Sequence, residues 1–147
     1  MSLREARRED VAAIVKMLAD DQLGKSRENL DDMTPYLKAF NAIVADPQNS
    51  LWVWDEQGKV VGCLQLTYLP GISQKGAWRA QVEGVRVESS RRGAGIGNRM
   101  MTIVMQMARE RGCYQMQLTT DKRRLDAHRF YERLGFAKSH EGMKLKL

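Results

Sequence analysis

A single domain of mixed α/β class is what this sequence predicts, on three observations. Apolar residues recur at helical spacing in some segments and alternate in others, so both periods run through one chain. The passage from residue 82 to 120 reads strand, turn, helix, strand, which a right-handed crossover makes into two parallel strands. The chain has 147 residues, 43% hydrophobic and 29% charged. That is the size and make-up of one globular domain, residues 1–147, able to bury roughly 70% of its unfolded surface.

The elements follow in order. In VAAIVKMLA, Val11, Ile14, Val15 and Leu18 fall at i, i+3, i+4, i+7 and predict an amphipathic helix ending near Gly24. A second helix is predicted over Asn29 to Ala45, with a break or fresh start at Thr34-Pro35, because proline is tolerated in a first helical turn. SLWVWDEQGKVVGCLQLTYL is two strand-like runs around a glycine-containing loop, Asp55 to Lys59, and Pro70-Gly71 closes the second. AWRAQVEGVRV is a third strand with Gly84 inside it, the usual mark of a bulge. Met100, Ile103, Val104, Met107 and Ala108 form one helical stripe, read as core. CYQMQLTT reads as a strand, LDAHRFYERLG as a short helix stopped by Gly135, and the alternating GMKLKL as a last strand.

The formal net charge of +6 points to an anionic partner such as nucleic acid, an acidic surface or a phosphorylated small molecule. Cys63 and Cys113 lie fifty residues apart without a CxxC pair, so neither a disulfide framework nor a metal site is expected, and both thiols read as structural. There is no apolar run of membrane-spanning length and no leader-like N-terminal segment. No membrane partner and a cytoplasmic location are the expectations.

The most informative stretch is VEGVRVESSRRGAGIGNRM. A helix start presents unpaired N–H groups and the positive end of the helix dipole, and both favour an anion, phosphate above all. Gly93, Gly95 and Gly97 remove side chains that would block close approach, while Arg91 and Arg92 add charged donors. The physical reading is a pyrophosphate cradle, with a purely structural glycine turn as the alternative. Walker A fails because Asn98-Arg99 follows Gly97, and the dinucleotide fingerprint fails because the spacing is GxGxG.

Arg92-Gly93-Ala94-Gly95-Ile96-Gly97 resembles the R/Q-x-x-G-x-G/A acyl-CoA loop of the GNAT superfamily of N-acetyltransferases, and DAHRFYERLGF resembles the A-x-x-F-Y-x-x-x-G-F segment that follows it there. The order of elements matches over nearly the whole chain. Within the superfamily the sequence looks similar to small bacterial members, including those resembling aminoalkylphosphonate acetyltransferases. The resemblance implies a central twisted mixed sheet of about six or seven strands flanked by about four helices. It implies acetyl-CoA as co-substrate, held by backbone from Arg92 through Gly93, Ala94, Gly95, Ile96 and Gly97 to Asn98, by strand residues Val85, Arg86 and Val87, and by Thr119, Ala127, Phe130 and Tyr131. Arg129 or Arg133 would add to the basic surface near the adenosine phosphates.

The implied reaction is acetyl transfer to a primary amine of a small molecule or peptide. An amine is protonated at neutral pH and must lose a proton before attack. Glu83 is the candidate base and, on a regular strand, would share a face with Val85 and Val87. Tyr131 is the candidate acid to the leaving thiolate. Gln22, Tyr68, Trp78 and Glu83 are the candidate acceptor-site residues, with Asp20 and Asp21 beside them. Arg124 stands where many family members have a pantetheine-binding asparagine, so that contact is lost or moved toward Thr119 or Thr120. His128 reads as surface, and His140 as a loop residue near the acceptor. Two rival functions remain, a nucleic-acid-binding regulator and a CoA-binding protein without chemistry. No helix-turn-helix supports the first, and nucleic acid is not the expected partner. The resemblance leaves a homodimer open.

Overall fold

The computed structural model describes residues 2–147. Its centre is a five-stranded sheet in sequential order: β1 (Ser2–Glu5), β2 (Asn49–Glu56), β3 (Lys59–Leu69), β4 (Trp78–Val87) and β5 (Cys113–Gln117). The first four strands are antiparallel neighbours, and β5 lies parallel to β4. Helices α1 (Val11–Ala19) and α2 (Thr34–Ala45) cover one face, while α4 (Ile96–Glu110) and α5 (Leu125–Arg133) cover the other. Between β3 and β4, α3 (Ser73–Gly76) is a single turn in which Gln74 and Lys75 are left-handed.

The strands build two cores because their side chains alternate. Toward α4, Trp54, Val61, Leu64, Leu66, Ala80 and Val82 pack on Ile96, Met100, Met101, Val104 and Ala108. Toward α1, Val53 and Cys63 pack on Ile14 and Met17, and Val11 and Val15 meet Phe40 of α2. Gly62 is constrained by this packing, since a Cβ there would lie 3.0 Å from Met100 Sδ. The hairpin turn is two residues, Gln57 and Gly58, both at positive φ (53° and 86°), the geometry that continues strand twist.

Several expectations are corrected. The sheet has five strands among the described residues, not six or seven. β1 is an addition: its four residues carry no apolar alternation, and it is held by Arg4, which donates to Asp55 and to both oxygens of Asp10. The second helix makes its fresh start at Thr34 and does not reach back to Asn29, because the Asn29 and Asp32 side chains accept the backbone N–H groups of Asp31 and Thr34 in Asx-type turns instead. GMKLKL forms no strand; Met143 and Leu145 are 95% and 85% exposed. Alternation supplies a face but not a neighbour. In α4, Met101 is fully buried and Ile103 is 39% exposed, so the stripe is rotated from the expected one.

Candidate active site

The site is built by a gap in the sheet. β4 and β5 pair from Trp78↔Cys113 to Gln81↔Gln117 and then part. The remainder of β4, Val82 to Val87, has no strand on that side. Gly84 provides the bend. Between the pairs Gln65↔Glu83 and Cys63↔Arg86, two residues of β4, Gly84 and Val85, stand opposite Leu64 alone. This is a bulge, with Gly84 at φ 61°, where a side chain would strain the backbone. On the unpaired stretch, the Val85 and Val87 carbonyls accept N–H groups from the Arg86 and Arg92 guanidinium groups.

The extra residue corrects the expected placement of Glu83. Val85 and Val87 pack with Val82 on the α4 face, three and five residues along instead of two and four. Glu83 is therefore not on their face. It pairs in register with Gln65, as Arg86 does with Cys63, and both lie on the α1 face. Gln81 Nε2 donates to Glu83 at 2.8 Å, and Gln117 Nε2 donates to Gln81 at 2.9 Å, so this face is a polar floor beside the gap. Glu83 is exposed.

At the other side of the gap the chain leaves β4, makes a short 3-10 turn at Ser89–Arg91 and enters α4. Gly93 and Gly95 both have φ 82°, and a Cβ on either would meet nothing within 4 Å. They are required for backbone shape and leave open space where a ligand can approach. Gly97 is required for packing, because its Cβ would sit 3.2 Å from Phe130 Cζ. The α4 N-terminus thus opens into a depression of about 410 Å³ lined by Val87, Arg92, Gly93, Gly95, Gly97, Asn98 and Phe130, with Arg91, Ile96, Arg133 and Leu134 completing it. Ala94 is exposed at the tip of the turn. Arg91 is committed elsewhere: it forms a two-pronged pair with Glu56 at 3.0 and 2.9 Å, pinning the turn to the β2–β3 hairpin. Glu56 lies thirty-five residues away, and no sequence pattern announces the pair.

Tyr131 is partly buried against Phe130 and Phe136, with edge-on ring centroids 5.1 and 5.7 Å away. Burial pushes its phenol up from the ordinary value, while Arg86 and Arg124 pull it back. Tyr131 therefore stays protonated at neutral pH and presents an O–H donor. Arg124 does not reproduce a small amide. It donates to Asp21 Oδ2 at 2.7 Å, and Arg86 Nε approaches the same oxygen at 3.5 Å. Asp21 also accepts the Gly24 N–H. Gly24 cannot carry a side chain, since its Cβ would fall 1.8 Å from the Leu18 carbonyl oxygen. The α1–α2 connection is thereby folded over the gap.

Not every expected residue gathers there. Tyr68 and Trp78 lie on the α4 face, at the far end of the sheet, where Arg111 sits 5.0 Å from both rings. The structure separates them from Glu83, because odd and even positions face opposite ways. Gln22 is exposed beside Asp21, and Thr119 is exposed beyond the end of β5. Ala127 is half-buried in the first turn of α5. His128 bonds the Asp121 carbonyl, and His140 pairs with its neighbour Ser139. Cys63 is buried and pushed up to about 12 by that burial, and burial also raises Cys113, so neither thiol is a nucleophile. Among the described residues there is no metal-binding group of three or more acidic, histidine or cysteine side chains, and no helix is long and apolar enough to cross a membrane.

The chain is similar to known proteins along most of its length. The acetyltransferase (GNAT) family model matches residues 12–136. Aminoalkylphosphonate N-acetyltransferase of Salmonella typhimurium is 28% identical over 138 residues, 94% of this chain and 86% of that enzyme. Glucosamine 6-phosphate N-acetyltransferase of Trypanosoma brucei brucei is 33% identical over 90 residues, 61% of this chain but only 59% of that enzyme's length. A crystal structure from Bacillus halodurans C-125, described as a transcriptional regulator, superposes with a TM-score of 0.95 at 46% identity and 99% coverage of both chains. The family match runs from α1 through the bulged strand and the glycine turn to the Phe130-Tyr131 helix, and the chain therefore belongs to the GNAT acetyltransferases, acyltransferases that use acetyl-CoA.

Proposed function

We propose that this chain moves an acetyl group from acetyl-CoA to the primary amine of a small molecule or peptide by direct attack. The observation that carries the reading is the gap between β4 and β5, with a glycine-lined helix start on one side and Glu83 on the other. Backbone N–H groups from Arg92 to Asn98 would hold the pyrophosphate, with Arg92 and Arg133 supplying positive charge. The stretch Val85 to Val87 would lie along the pantetheine arm, with Thr119, Ala127 and Phe130 bordering it. Acetyl-CoA supplies the activated thioester.

Glu83 would take the proton from the attacking ammonium, directly or through water, held in place by the Gln81 amide. The amine nitrogen then bonds the acetyl carbon and the carbon–sulfur bond breaks. Tyr131 would meet the sulfur that carries the resulting charge. A phenol at ~10 giving its proton to a thiolate at ~8.5 runs uphill by about 2 kcal/mol. Burial raises the Tyr131 phenol and widens that gap. Its O–H thus stabilises the thiolate by a hydrogen bond, and solvent delivers the proton.

Calorimetric titration with acetyl-CoA tests the cradle, with Gly95→Glu as control. Saturable binding by the wild type that the variant loses is the expected result; no binding by folded protein freed of copurified CoA sinks the reading. A second reading, a nucleic-acid-binding regulator, is favoured by the description of the Bacillus halodurans relative and by the net charge of +6. It predicts tight DNA binding whose logarithm falls steeply with the logarithm of salt concentration. A third reading, cofactor binding without chemistry, predicts indifference to Glu83→Gln and no thiol release with any amine.

A further inference from the structure

The side of the gap that carries Glu83 also carries an imbalance of charge. Arg86 and Arg124 share a single carboxylate, Asp21. All three side chains are about four-fifths shielded, at 22%, 20% and 24% exposure, so water does not screen them as it would a surface cluster. Arg86 is the less satisfied of the two. Its Nη1 donates to the Val85 carbonyl, its Nε is buried with no hydrogen bond, and its Nη2 has no partner among the described residues. Burial, and then repulsion from Arg124, pushes the Arg86 guanidinium below its ordinary value. Around this pair, Asp121 is already matched by Arg123 at 2.8 Å and Arg27 at 3.4 Å. The connection after α1, the segment before α5 and the end of β4 therefore bring Arg27, Arg123, Arg124 and Arg86 around Asp21 and Asp121, four cations to two anions.

A half-buried guanidinium with unused donors is costly unless an anion completes it. Its position decides which anion. The bulge places Arg86 three residues from Glu83 on the same face of the sheet, and Arg86 and Arg124 both act on the Tyr131 phenol across the gap. The unmatched charge thus borders the point where an acceptor amine would be deprotonated. It is separate from the glycine turn, where the cofactor's pyrophosphate would sit, because neither Arg86 nor Arg124 lines that depression.

We propose that Arg86 and Arg124 bind an oxyanion carried by the acceptor, so that the substrates are short amines bearing a phosphate, phosphonate or carboxylate a few bonds from the nitrogen. The carboxylate of Glu83 faces the ammonium end, and the arginine pair faces the anionic end. This rests on the acetyl-transfer reading, and a binding experiment separates the two. Protein saturated with CoA is titrated calorimetrically with 2-aminoethyl phosphate, β-alanine and n-propylamine. The phosphate amine binds at least tenfold more tightly than propylamine, and the comparison with β-alanine tells a phosphate-selective site from a general carboxylate one. Arg86→Gln and Arg124→Gln each remove most of that preference. Arg124→Lys, which keeps the charge, restores a measurable part of it, an outcome that a purely structural role for Arg124 does not produce. Equal affinity for the three amines, or a preference that survives both glutamine variants in folded protein, overturns the proposal. Thiol release with acetyl-CoA and propylamine in that case leaves the transferase reading standing.

Discussion

Glu83 and Tyr131 carry separable predictions. Glu83→Gln keeps size and the contact with Gln81 but removes the base. It should lower kcat/KM for acetyl transfer by about 100-fold near neutral pH, the lower range for a positioned base, with acetyl-CoA affinity little changed in calorimetry. Tyr131→Phe keeps the ring packing against Phe130 and Phe136. It should lower kcat by about tenfold, the size of one hydrogen bond to a charged group. Because burial raises the phenol above its ordinary value, the hydroxyl stays protonated through the neutral range, and the wild-type pH–rate profile should show no fall from Tyr131 there. Of these residues the sequence shows the identities through the F-Y pair and the strand before the turn. It does not show that Arg124 is claimed by Asp21, 103 positions earlier in the chain, since a pairing across that separation leaves no local pattern.

At the scale of elements, the strand–turn–helix of β4 and α4 was legible because backbone demands dictate glycine. Gly93 and Gly95 stand at positive φ, and Gly97 stands where a Cβ would meet Phe130. Gly97→Ala should therefore act through packing. It should weaken acetyl-CoA binding by about tenfold while leaving the fold intact by circular dichroism, since the added methyl forces the Phe130 ring to shift and such overpacking costs about 1–3 kcal/mol. The face assignment of Glu83 was not legible. A two-residue period fails as soon as the strand takes in one more residue, and a lone glycine signals that an irregularity exists without giving its phase. The last six residues failed for another reason: Met143, Leu145 and Leu147 alternate, yet alternation says nothing about whether a neighbouring edge is there to receive them.

At the scale of the whole molecule, β1, already paired with β2, is tied to the start of α1 by one buried carboxylate. Asp10 is 7% exposed and accepts two bonds from Arg4 and one from the Arg7 N–H. The Arg4 bonds hold Asp10 below the usual carboxylate range despite its burial. A depressed carboxylate contributes stability that is complete above its unfolded value of ~3.9 and is lost as pH falls through the lower folded value. Asp10→Ala should cost about 2 kcal/mol at pH 7 and lower Tm by about 4–8 °C, and the gap between wild type and variant should close in melts run at progressively lower acid pH. The bulge at Gly84 has a different global consequence. It works as a phase shifter: upstream of it even-numbered side chains of β4 enter the α4 core, and downstream the odd-numbered ones do. If Gly84 were kept but drawn into regular pairing, the strand would run in one phase, and this would drive the Arg86 guanidinium among the methionines of α4 and turn Val85 and Val87 outward. One extra position thus keeps Val82, Val85 and Val87 as a continuous wall of the core while Glu83 and Arg86 stay together on the opposite, charged side.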